Sequence, residues 1–144
     1  MITPAQWLIK DRLIYAYAEG TATMQELRQH SDRVIALLNE SSQPTHILLE
    51  SSPNFRPERL DLRSGLDSLK FVHHQSLGWA VQVLQGNHSM RFVARLISRF
   101  ARINYQIVES RDAAFNFLQM MDSNLDLSQM DKSILAPDEN VSNS

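Results

Sequence analysis

Hydrophobic and polar positions alternate along this chain in two periods that succeed one another. Trp7 to Lys10 and Leu13 to Ala18 are short apolar runs of strand type parted by Asp11 and Arg12, which predicts a β-hairpin with a loop of two residues or more. Gly20-Thr21-Ala22 ends the second run. Thr23-Met24-Gln25-Glu26 then has the form of a capping box, in which the Thr hydroxyl and the Glu carboxylate satisfy orphan N–H groups. Met24, Leu27, Val34, Ile35 and Leu38 recur with Ser31 at helical spacing, predicting a helix over 23–39. After a break over 39–44, Thr45 to Glu50 is apolar at successive positions, as strands covered on both faces are.

Residues 51–57 hold two prolines and read as a loop. Leu62, Leu66, Leu69 and either Phe71 or Val72 predict a second helix from about Glu58 to Phe71, with Gly65 inside it costing about 1 kcal/mol relative to Ala. Trp79 to Leu84 is a strand, Gln85-Gly86-Asn87-His88 a turn, and a well-sorted helix follows. At about 100° per residue, Phe92, Val93, Leu96, Ile97, Phe100 and Ala101 share one side and Arg91, Arg95, Arg99 and Arg102 the other. Ile103 to Val108 supplies another strand, and Ser110 can cap a last helix through Ala113, Ala114, Phe117, Leu118 and Met121. The order β-β-α-β-α-β-α-β-α predicts one α/β domain over 1–122, with a mostly parallel sheet and right-handed crossovers. Past Asp122 the pattern decays, so 123–144 is expected to be a loosely ordered tail in which Leu125, Leu127, Met130, Ile134 and Leu135 could dock.

Composition narrows the chemistry. With 144 residues, 43% of them hydrophobic, the chain can bury a genuine core. A formal net charge of -2 argues against a dedicated nucleic-acid binder, whose affinity needs excess Lys and Arg on phosphates. Without cysteine there is no disulfide, thiolate nucleophile or zinc-thiolate site. The start Met-Ile-Thr-Pro-Ala-Gln lacks the basic and apolar regions of a leader, and no apolar run approaches the ~20 residues of a membrane span. A soluble, cytoplasmic protein is expected. In a parallel sheet the ligand crevice lies at the carboxyl ends of the strands, which gathers Thr21, Ser51, Ser52, Asn87 and His88 with Gly20, Thr23, Glu50, Asn54 and Ser110. Thr23, Ser110 and Asn87 are also what helix caps require. No phosphate-binding glycine motif occurs, His73 and His74 diverge too much to chelate, and no spacing supports Ser51, His88 and Glu50 as a triad. No catalytic residue, metal or cofactor is expected.

The hairpin ending Ala18-Glu19-Gly20, the capped helix, the strand Ile47 to Glu50 and the closing run Val108 to Leu118 resemble the STAS-like domains related to bacterial anti-sigma-factor antagonists, over residues 7–121. The resemblance implies a regulatory, non-enzymatic interaction module. Its regulatory members carry Asp-Ser-Ser-Gly-Leu at the second helix, where a kinase partner phosphorylates the serine beside the glycine. Here Leu62-Arg63-Ser64-Gly65-Leu66 matches only the end of that run, which makes Ser64 a candidate phosphosite. The stripe Arg91, Arg95, Arg99 and Arg102 is a candidate landing site for an acidic protein partner, a second copy in a homodimer, or anionic lipid headgroups. Two functions stand at this level: docking of a partner through helix surfaces, or binding of a small apolar or lipid-like ligand between sheet and helices.

Overall fold

The computed structural model describes residues 1–59, 61–101 and 104–137, leaving aside the side chains of Leu62, Ser89, Ile97, Phe100 and Ala101. The hairpin forms: β1 (Gln6–Ile9) pairs antiparallel with β2 (Leu13–Ala18). Its loop has three residues, and Asp11 takes a left-handed φ of 64°. Asp tolerates that region better than most side chains, so the loop closes without glycine.

Beyond β2 come β3 (Thr21–Ala22), α1 (Met24–Glu40), β4 (Thr45–Ser51), β5 (Arg56–Pro57), α2 (Leu62–Ser68), β6 (Leu77–Leu84), α3 (His88–Ala101), β7 (Tyr105–Val108) and α4 (Arg111–Met121). The main sheet runs β1-β2-β4-β6-β7, parallel from β2 onward, while β3 and β5 form a separate parallel pair. The α/β reading and its order of helices and long strands are therefore correct. Each crossover advances the same way across the sheet, so right-handed connections put α1, α2 and α3 on one face. The chain then returns from the edge strand, and α4 covers the other.

Local chemistry sets the ends of the helices. Thr23 Oγ1 accepts from Glu26 N at 3.1 Å, and Ser110 Oγ accepts from Ala113 N at 3.1 Å, as anticipated. Only half of the capping box forms, because the Glu26 carboxylate turns 3.5 Å from the chain's amino terminus. The second helix is shorter than expected. Asp61, whose carboxylate accepts from Ser64 N at 2.8 Å, starts α2 as its N-cap, and the chain tightens into a 3₁₀ turn over Lys70–His73 that buries both Phe71 and Val72. The Asp61 carboxyl is held below its usual range by the backbone and side-chain hydrogen bonds from Ser64.

Two faces of the sheet carry separate cores. Toward α1–α3, Ile14, Ala16, Ile47 and Ala80 meet Val34, Leu37, Leu38, Phe71 and Val72, and Leu84 meets Phe55, Met90 and Ala94. Toward α4, Leu13, Tyr15, Leu48, Val81 and Val83 meet Ala114, Phe115 and Leu118. Alternate residues of β4 thus serve opposite layers, which is why the strand is apolar throughout.

The expectation of a loose tail gives way over 123–137. Leu125 is buried, and Leu127, Met130, Ile134 and Leu135 pack on the α4 face of the sheet, helped by 3₁₀ turns at Leu127–Gln129 and Lys132–Ile134. Asp131 N donates to Leu8 O at 2.8 Å, and Ala136 N to the Tyr15 hydroxyl at 3.1 Å. The sparse apolar residues of this segment suffice because β1 and β2 leave a surface that α4 alone does not cover. Residues 138–144 lie outside the described residues.

Candidate functional site

A cavity of about 80 Å³ lies between the sheet and α1–α3. The sheet contributes Ile47, Leu49, Ala80, Gln82 and Tyr105 to its floor, and Leu27, Phe71, Val93 and Ala94 stand around it. Pro57, Arg59, Asp61, Ser64 and Gly65 line it from the segment that begins α2. Such a space opens because α2 is only two turns long and cannot cover the sheet between α1 and α3.

Among the described residues, one buried polar side chain in this lining makes no hydrogen bond. His30 sits on α1 three residues after Leu27 and four before Val34, so it lies on the buried stripe of the helix. It is 8% exposed and meets Phe71 edge to face at 6.3 Å between ring centroids. Neither ring nitrogen makes a hydrogen bond. Burial pushes its pKa from 6.5 down to about 4, so the ring is neutral near pH 7. The other polar groups are spoken for: the Tyr105 hydroxyl donates to Gln82 Oε1, and Ser64 Oγ donates to Asp61 Oδ2 at 2.9 Å. Burial raises the Tyr105 hydroxyl above its ordinary range, so it stays protonated as a donor.

The depressed pKa of His30 has a sign that can be checked. The unfolded ring takes a proton below about pH 6.5 and the folded ring resists until about pH 4. His30 therefore leaves stability intact above pH 6.5 and removes up to about 3 kcal/mol as the pH falls from 6.5 to 4. Asp122, whose carboxyl is lowered, adds its own loss at more acid pH. Urea midpoints at pH 7.5 and 4.5 should diverge in the native chain and draw together in His30→Leu. An equal drop in both proteins would count against a buried, neutral His30.

The polar crescent at the strand ends is assembled, and Asn87, Ser52, Asn54 and Ser51 make side-chain hydrogen bonds within the fold. Asn87 caps α3, with Oδ1 accepting from Met90 N at 3.2 Å and Nδ2 donating to Phe55 O at 2.6 Å. Ser52 Oγ donates to Asn54 Oδ1, which also accepts from Gly20 N at 3.3 Å. Ser51 is buried and accepts from Gln82 Nε2 at 3.5 Å, while Thr21 pairs with Arg56 between β3 and β5. His88, the first residue of α3, is exposed. Among the described residues no Ser-His-acid set converges here: Glu50 turns to the opposite face, where its carboxylate accepts from Arg111 Nη2 at 2.7 Å and from the Tyr15 hydroxyl. Burial and the Glu50 carboxylate together raise the Tyr15 hydroxyl.

A His-Asp pair does occur, joining β4 to the end of α4. His46 Nε2 lies 2.9 Å from Asp122 Oδ2, which also binds Arg12, and His46 Nδ1 accepts from Trp79 N at 2.9 Å. With Nδ1 taken by a backbone donor, Nε2 carries the proton and neither nitrogen is left to act as a base. Burial opposes ionisation of Asp122, but the hydrogen bonds from His46 and Arg12 prevail and hold it low.

The arginine stripe is only partly free. Arg95 and Arg99 are exposed, Arg91 is paired with Glu109, and Arg102 lies outside the described residues. Phe92, placed by periodicity on the core side, is instead 65% exposed beside the arginines. Met90 and Ala94 face inward against Phe55 and Leu84, and Phe92, seven residues before Arg99, falls on the arginine side at about 100° per residue. Ser64, the candidate phosphosite, sits at the cavity rim with its hydroxyl engaged by Asp61.

Sequence reasoning missed His30. Its spacing from Leu27, Val34 and Leu37 was a usable signal, masked by the polar neighbours Gln29 and Ser31. Among the described residues, no cluster of three or more His, Cys, Asp or Glu could hold a metal, and no helix is long and apolar enough to cross a membrane. No protein-family model matches the chain, and neither a curated protein nor a solved structure does.

Proposed function

We propose that this chain binds a small, mainly apolar ligand in the cavity between the sheet and α1–α3. The carrying observation is His30, a desolvated imidazole with two unused hydrogen-bonding atoms, in the lining of a mainly apolar space. Leaving such a group unpaired costs about 1–3 kcal/mol, a cost that a bound molecule would relieve. Ligand sites are commonly concave, apolar and set with a few polar groups, and this lining fits that description. Native mass spectrometry of the gently purified chain should show a one-to-one small-molecule adduct, diminished in Ala94→Leu, which fills the space. A bare polypeptide mass throughout would count against the reading.

A second reading is favoured by Phe92. An exposed aromatic ring among Arg95 and Arg99 offers an apolar anchor and two cations to an acidic protein partner, and the element order is the one a STAS-like regulator would have. Phe92→Ser with Arg95→Glu should then abolish partner capture. Unchanged capture would remove α3 as the docking surface.

A further inference from the structure

We infer that the ligand is a slender aliphatic molecule whose hydroxyl group hydrogen-bonds His30, an inference that rests on the pocket reading above. Size comes first. An engineered apolar cavity of about 150 Å³ admits benzene. The space here, about 80 Å³, is roughly half of that and suits an unbranched alkyl segment rather than fused rings. Its lining includes Arg59 and Asp61, both exposed, so a longer chain can project toward solvent on that side.

The polar group follows from what is left unsatisfied. Gln82 and Tyr105 bond each other, Asp61 and Ser64 bond each other, Ser68 donates to Gly65 O, and among the described buried side chains of the lining His30 alone has unmet demand. A neutral imidazole shows a bare nitrogen on one side and an N–H on the other. A hydroxyl can donate to the first or accept from the second, so it complements the ring in either tautomer. A carboxylate can only accept, and it would bring a charge into a lining whose cation, Arg59, is on the exposed side. An alkyl halide or alkane of the same length would fill the space and leave His30 as it was.

Calorimetric titration of the full chain with 1-hexanol, hexanoate and 1-chlorohexane separates these cases. Hexanol should bind at least tenfold more tightly than either of the others, and His30→Leu should erase that advantage while retaining chlorohexane binding. Because the variant could lose its fold, the histidine-ring ¹⁵N spectrum of the native chain provides a second readout: hexanol should shift the His30 ring and chlorohexane should not. Equal affinity for all three, or preference for hexanoate, would overturn the hydroxyl inference while leaving the pocket intact. Failure of all three to bind would overturn the pocket reading and this inference with it.

Discussion

Arg111→Ala should destabilise the fold by about 3–5 kcal/mol and release the segment after α4. Arg111 bonds both oxygens of Glu50, at 2.7–3.3 Å, where the two side chains are 15% and 7% exposed. Removing the guanidinium strands a carboxylate in a largely dry site, the costliest way to break a buried pair. Arg111 also donates to Ala136 O, and Tyr15 bridges Glu50 to Ala136 N, so the cluster that neutralises Glu50 also fastens the tail. Urea denaturation should show the loss, and hydrogen exchange should show the Asp131 amide, bonded to Leu8 O, losing its protection. A change below about 1 kcal/mol would mean that the pair is solvated. Replacing both partners, Glu50→Leu with Arg111→Met, should recover part of the loss, since no unpaired charge remains.

Gly78→Ala is the second large effect, at about 2–4 kcal/mol. A Cβ at position 78 would stand 2.6 Å from His46 Nδ1 and 2.7 Å from Cε1, well inside contact distance. Most side chains would swing aside. This ring cannot, because Asp122 and the Trp79 amide hold its two nitrogens, so the methyl group must either shift β6 or break a hydrogen bond at the centre of the sheet. Combining Gly78→Ala with His46→Ala should cost less than the sum of the single changes, the signature of a direct clash. Strict additivity in chemical denaturation would place the strain elsewhere.

The fold was largely legible because its signals are local and redundant. Thr23 and Ser110 cap helices whatever surrounds them, and the unbroken apolar run from Ile47 to Leu49 announces a strand with cover on both sides. On α3 the apolar side was drawn too wide. At about 100° per residue Phe92 lies about 20° from Arg99 around the helix, so it belongs to the exposed edge, while Met90 and Ala94 face the core. The tail holds too few apolar residues to declare itself and docks only because the sheet offers uncovered surface.

The site was less legible still. A polar crescent at the strand ends is what topology recommends, and the residues do gather there, but Asn54 and Asn87 use their side chains on nearby backbone and caps. His30 draws its character from packing against Phe71 of the 3₁₀ turn, beside the space that the two-turn α2 leaves uncovered, a fact about packing that no stretch of adjacent residues encodes.

Entry of a ligand beside His30 can be observed most directly by methyl-resolved NMR of the native chain during titration with 1-hexanol. Saturable shifts should appear at Leu27, Ile47, Leu49, Leu69, Val93 and Ala94, with Leu118 and Leu125 on the opposite face unmoved. Lining methyls that stay still at saturating alcohol, or shifts spread evenly over both faces of the sheet, would contradict a binding site in this cavity.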